Sequence, residues 1–347
     1  MLTVTFEHPR CLDPKLVGGK GCGLAGMTQA SIPVAPGFVV STRVYRDYLA
    51  ATGLRQRLDF ALAAIDRASI ESMNKAAESI EVWFTDTPLP SDLRAGVAEG
   101  YQSLCDAVQV PGVSVVVRSS ATVEDSAGAS FAGEYETYVG LSGVEQIELH
   151  VRRCWASAFT TRALSYAWNN GLSPLAVDMA TVVQKLVNAR AAGVMFTLSP
   201  VTGDRSRIVI EASCGLGLSV VGGEVTPDRF VVAKIEGTVV DRVLGDKQIE
   251  YVNGHTSSPV DQERRDRLCL DDEEVLALAS LGKRLERMHG CPQDIEFAID
   301  RDLPRGQQII LLQCRPETIW AGNARRTAQT KSVTSNLASI FGNAGRM

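Results

Sequence analysis

The feature that most constrains this chain is a switch in hydrophobic period near residue 180. Before it, apolar residues recur at helical spacing. Leu58, Ala61, Leu62, Ile65, Ile70, Met73, Ala77 and Ile80 mark one or two amphipathic helices between residues 54 and 84. Thr87-Pro88-Leu89-Pro90-Ser91 interrupts them, and Ser91 can cap a further helix from Asp92 to Val108. Val113-Ser114-Val115-Val116-Val117 is a short β-branched run that reads as a buried strand. Glu145 to Asn170 again reads as helix. After Asp178 the pattern changes to short strands at 181–187, 192–197, 207–211 and 230–235, separated by Gly, Pro and Asp turns. Asp271 to His289 is a helix with acidic residues at its start and basic ones at its end, which suits the helix dipole. Two strands follow, Asp294–Ile299 and Gln307–Arg315, around a turn holding Asp302, Pro304 and Gly306.

A helix-rich half followed by a strand-rich half predicts an α+β fold of two lobes, residues 1–180 and 181–320, with a ligand cleft between them. A chain of 347 residues is long enough for this division. Residues 321–347 are polar and rich in small side chains, and are expected to form a flexible tail or linker. The formal net charge of -5 argues against a general nucleic-acid surface. No apolar run is long enough to span a bilayer, and the start of the chain lacks the pattern of a signal peptide. Eight cysteines are present with no CxxC or CxxH spacing, so no zinc site is expected. Buried thiols in a reducing compartment fit better, and the expected location is cytoplasmic.

Four polar clusters interrupt this framework. Gly18-Gly19-Lys20-Gly21-Cys22-Gly23 combines backbone freedom with one lysine, a combination suited to a phosphate or to a plain flexible turn. It is neither a Walker A loop nor a dinucleotide fingerprint, because no Ser or Thr follows Lys20 and no strand precedes the glycines. Arg118-Ser119-Ser120 leaves the end of the Val113–Val117 strand, where an arginine fork can meet an anion. Ser130-Phe131-Ala132-Gly133 is a glycine-containing loop, readable as a flap or as a hairpin turn. Asp294 and Glu296 share one face of a strand because side chains alternate with period two, and Gln313 and Arg315 do the same on the next strand. Carboxylates, an amide oxygen and an arginine on neighbouring strands suit a metal–phosphate site, or a solvated face laced with ion pairs.

In this order the segments GGKG, VRSSA, SFAG, AGVMFT, SPVTG, GGEVTPD, DIEF and QCRPE resemble the N-terminal ATP-binding domain shared by phosphoenolpyruvate synthase, pyruvate phosphate dikinase and rifampicin phosphotransferase. The likeness runs from Gly18 to Glu317. It implies an ATP-grasp-like fold with ATP and Mg²⁺ between the lobes. Lys20 and Arg118 would contact the phosphates, and Gly133 and Thr137 would belong to a loop over them. Gln184 and Leu186 would line the adenine pocket. Glu296 and Gln313 would hold Mg²⁺ with support from Asp294, and Arg315 would grip the transferring phosphates. Lys20, Arg118 and Arg315 would be the catalytic cations.

The resemblance also implies a partner, because full-length relatives carry a phosphorylated histidine on a further domain. His8, His150, His255 and His289 do not lie in a Gly-rich Thr-Ser-His context. A separate histidine-bearing subunit or domain, and a small-molecule acceptor, are therefore expected. The stand-alone form is similar to the small catalytic subunit of phenylphosphate synthase, which makes phenol the first expected acceptor. A split or truncated phosphoenolpyruvate synthase-like or antibiotic-modifying enzyme is the alternative, and a non-catalytic nucleotide sensor a third reading.

Overall fold

The structure is a computed structural model, and it describes residues 1–122, 136–254, 256–317 and 320. Gly133 and the loop around it, His255 and the tail beyond 320 lie outside the described residues.

Helix α1 (Pro14–Gln29) follows a first short strand, β1 (Thr3–Thr5), and leads to β2 (Gly37–Val40). Four helices come next: α2 (Thr42–Ala51), α3 (Leu54–Ala64), α4 (Ile70–Asp86) and α5 (Ser91–Val108). Strands β3 (Val115–Ala121) and β4 (Thr137–Leu141) precede α6 (Val144–Ala156) and α7 (Thr161–Asn169), and β5 (Met179–Lys185) completes an antiparallel sheet of order β1-β2-β5-β3-β4. The helix expected over 145–170 is thus two helices, separated by a 3₁₀ turn at Ser157–Phe159.

A second antiparallel sheet begins with β6 (Ala189–Phe196), β7 (Arg207–Cys214), the short α8 (Leu218–Val221), β8 (Asp228–Ala233) and β9 (Thr238–Val243). A small hairpin, β10 (Ile249–Tyr251) with β11 (Ser257–Pro259), and helices α9 (Gln262–Arg265) and α10 (Asp272–His289) follow. Strands β12 (Gln293–Asp300) and β13 (Ile309–Pro316) return to the sheet, giving the order β13-β12-β6-β7-β8-β9. Asp271 caps α10 through a reciprocal capping box with Glu274, and Gly290 ends it in the left-handed region. Both are local signals that residue type alone predicts.

Strand β5 hydrogen-bonds to β2 and β3, so the run 181–185 belongs to the first sheet and not with the strands that follow it. One face of the first sheet packs on α2 and α4–α7 around Tyr45, Tyr48, Phe84, Trp155 and Phe159. The other face meets α1. Leu16, Val17, Leu24, Ala25 and Met27 of α1 share a core with Val39 and Val182 of the first sheet and Met195, Ile210, Phe230, Ile295 and Phe297 of the second. Helix α1 is therefore the wedge between the two sheets, and burial of this apolar surface is what holds them together. Among the described residues no helix is long and apolar enough to cross a membrane, and no cysteine is in a disulfide.

Candidate functional site

Strand β3 continues to Ala121, so Arg118, Ser119 and Ser120 are sheet residues and not a loop exit. Alternation along β3 sets Val116, Arg118 and Ser120 on the face toward α1 and the second sheet. Arg118 is 8% exposed. Its guanidinium crosses to β13 and β12: Nη1 donates to the Leu312 carbonyl at 2.9 Å, and Nη2 donates to Gln313 Oε1 at 2.6 Å and Glu296 Oε2 at 3.0 Å. Arg118 Nε is buried and has no hydrogen-bond partner among the described residues. One arginine thus ties the two sheets together at the point where Glu296 and Gln313 lie opposite each other in register.

Beyond this knot a cleft opens between the sheets. Arg118, Thr137, Gln184, Leu186 and Glu296 line it, all residues marked by the sequence. Its remaining wall is mostly apolar, with Val116, Val139, Val187, Leu216, Leu218 and Phe297 prominent. The Gln184 side chain is 2% exposed, and its Nε2 donates to the Ala35 carbonyl at 3.0 Å. That bond leaves Oε1 as the acceptor of the amide. Lys185 also lines the cleft, with Nζ 3.9 Å from the buried Asp300 carboxylate. The apolar wall and Lys185 were not singled out from sequence. The alternation of Val116 with Arg118, and of Thr137 with Val139, was the available signal, because each pair must share one face.

Asp294 and Arg315 form a second pair on the same strands. Arg315 Nε and Nη2 both donate to Asp294 Oδ2, at 2.8 and 2.7 Å. Burial pushes the Asp294 carboxyl above its ordinary value, and Arg315 opposes that rise. The two carboxylates expected to act together therefore have different partners here: Glu296 takes Arg118 and Asp294 takes Arg315.

Lys20 does not line the cleft. The GGKG segment is not a loop but part of α1, which breaks at Gly18 and resumes. The Lys20 ammonium lies close enough to Cys154 on α6 to offset part of the rise that burial imposes on that thiol. Gly23 approaches the second sheet, since a Cβ there would stand 3.5 Å from the Cys314 carbonyl.

Glu296 and Gln313 offer oxygen donors of the type Mg²⁺ takes, and both now accept from Arg118, which such an ion would displace. Glu296 Oε2 and Gln313 Oε1 both accept from Arg118 Nη2, so the two oxygens lie near each other. Mg²⁺ commonly takes one or two protein oxygens and completes its shell with phosphate and water.

The sequence profile described as the AMP/ATP-binding domain of pyruvate phosphate dikinase matches residues 14–336. The probable phosphoenolpyruvate synthase of Staphylothermus marinus is 39% identical over 335 residues, which cover 89% of this chain and 40% of that protein. Its counterpart in Methanothermobacter thermautotrophicus is 40% identical over 331 residues, covering 94% and 47%. The phosphoenolpyruvate synthase of Aeropyrum pernix is 40% identical over 335 residues, covering 88% and 41%. The chain spans less than half the length of these relatives. With a matching profile across nearly all of its length and relatives at this level of identity, the chain belongs to the pyruvate phosphate dikinase AMP/ATP-binding domain family.

Proposed function

We propose that this chain is the ATP-binding part of a dikinase-type phosphotransferase of the phosphoenolpyruvate synthase kind. It would cleave ATP to AMP and phosphate and leave a phosphoryl group on a histidine of a separate domain or subunit, for delivery to a small acceptor. The observation that carries this reading is the graded cleft. It runs from an apolar slot at Leu186, Leu216 and Leu218 to a charged knot of Arg118, Glu296 and Gln313. A purine and a polyphosphate have that same gradient from apolar to charged. The two-lobed, ATP-grasp-like arrangement is part of the same proposal.

The base would lie between the sheets, with Gln184 Oε1 accepting from the exocyclic amino group of adenine. Thr137 would meet the phosphates from β4. On their arrival Arg118 would exchange carbonyl and carboxylate acceptors for phosphate oxygens, and its Nε–H, without a partner among the described residues, would gain one. Arg315 and Lys20 would neutralise further phosphate charge, with Gly133 on the covering loop. Phosphoryl transfer depends on in-line placement and charge neutralisation more than on covalent chemistry by the protein. Glu296 and Gln313, supported by Asp294, would hold Mg²⁺, which when bound supplies charge to offset that of the phosphate oxygens. An imidazole nitrogen of the partner would attack the β-phosphorus and displace AMP, giving a pyrophosphorylated histidine, and water would then take the terminal phosphoryl group as phosphate, leaving the phosphohistidine.

Phenol as acceptor rests only on the resemblance to the phenylphosphate synthase subunit. The relatives' names favour the phosphoenolpyruvate synthase reading of the same site. A cytoplasmic location fits the eight cysteines without disulfides. The test is AMP release from ATP with and without a histidine-bearing partner domain of a relative. Partner-dependent AMP and an acid-labile phosphorylated partner support the proposal. Tight ATP binding without turnover under any partner would replace it with the nucleotide-sensor reading.

A further inference from the structure

Ser120 lies two residues beyond Arg118 on β3 and is wholly buried. In an unbroken α-helix the Gly21 N–H would donate to the Val17 carbonyl, because the bonds run from residue i to i−4. At the break in α1 both groups bond to a side chain from another element. The Ser120 hydroxyl stands between the two groups, accepting from Gly21 N–H at 3.1 Å and donating to the Val17 carbonyl at 2.7 Å. Insertion of a side chain into the helix ladder is a recognised cause of a kink. The kink is at Gly18, with φ 70° and ψ 179°, a conformation open essentially to glycine alone. A Cβ on Gly18 would stand 2.1 Å from the Ser120 carbonyl oxygen, so the helix is pressed directly on the strand. Lys20 falls inside the opened turn, between Val17 and Gly21.

We infer that Ser120 is a positioning residue: its hydroxyl holds the turn of α1 open and so sets the placement of Lys20 relative to Arg118. The inference rests on the nucleotide reading above for its consequence, though not for its geometry. Without the hydroxyl, the Val17 carbonyl and the Gly21 N–H both lose the group that joins them. Buried backbone groups seek partners, so the turn closes and carries Lys20 with it. The inserted serine also accounts for the GGKG spacing, with Gly18 at the break and Gly21 at the donor.

The test combines titration calorimetry of the whole chain with ATP and with AMP, each with Mg²⁺, and amide NMR of Lys20 and Gly21. Ser120→Ala should weaken ATP binding roughly tenfold, the scale of one lost hydrogen bond to a charged group, while AMP binding holds. Ser120→Ala should add little to the loss from Lys20→Ala. Ser120→Thr keeps the hydroxyl and should keep both ATP affinity and the two amide shifts. Unchanged ATP affinity in Ser120→Ala, a parallel loss of ATP and AMP, or full additivity with Lys20→Ala would each overturn the inference. So would Lys20 and Gly21 amide shifts that do not move in Ser120→Ala. A wild-type chain that binds neither nucleotide would sink the nucleotide reading instead. The amide shifts alone would then decide whether Ser120 holds the turn open.

Discussion

Arg118 and Glu296 are 178 residues apart in sequence, and their side chains meet at 3.0 Å across the boundary between two sheets. The arginine side chain is 10% exposed and the glutamate side chain 28%, so the pair is shielded on one side and open to the cleft on the other. Under the proposed nucleotide reading, this is the contact that an arriving phosphate would exchange.

Arg118→Met removes the donors to Leu312, Gln313 and Glu296 together. A hydrogen bond to a charged group contributes about 1.5–3 kcal/mol, so ATP affinity should fall roughly tenfold to a hundredfold. Arg118→Lys should recover little, because one ammonium cannot reproduce the planar fork. Calorimetric titration with ATP checks both. A methionine variant with the wild-type affinity would remove Arg118 from the site.

The Gln184 amide is oriented by its bond to the Ala35 carbonyl, which leaves an acceptor for a ligand. The chain should therefore prefer adenine over guanine nucleotides, whose 6-position carries an acceptor. Gln184→Leu should erase most of that preference while leaving the apolar slot intact. Competition between ATP and GTP for a fluorescent ATP analogue measures it. Equal affinities in the wild-type chain would show that the amide does not read the base.

Lys247 and Asp228 form an ion pair at 2.6 Å with both side chains fully buried. Asp228 also accepts from the Gly245 and Cys269 backbone N–H groups, and Lys247 donates to the Arg265 carbonyl. Lys247→Met leaves the carboxylate buried without its cation, and should destabilise the fold by about 3–5 kcal/mol. Urea unfolding followed by circular dichroism gives the difference. A loss below 1 kcal/mol would mean that water reaches the carboxylate once the lysine is gone.

Asp294 carries a carboxyl raised above its ordinary value by burial. The folded state then holds this proton more tightly than the unfolded state does. Its contribution to stability is therefore most favourable at low pH, and is lost as pH rises from the ordinary value through the raised one. Titrating the side-chain carbonyl carbon by NMR should give a midpoint above the ordinary aspartate value, and further above that of Asp272, whose carboxyl is held low by Arg242. A midpoint below the ordinary aspartate value would mean that the Arg315 pairing outweighs burial.

Local patterning in the sequence determined much of this protein. The 3.6-residue period and capping signals marked α10 and its ends, and the two-residue period put Asp294 with Glu296 and Gln313 with Arg315 on shared faces. Those properties depend on neighbours within a few residues. Pairing across the fold does not. That β5 joins the first sheet, that Glu296 meets Arg118 while Asp294 meets Arg315, and that Ser120 opens a helix 99 residues away from it were decided by tertiary structure. The same glycine-rich string has the residue types of a loop and the contacts of a helix. A hydroxyl that arrives from another strand chooses between them, because a broken helical bond is tolerable only where something else satisfies its two ends.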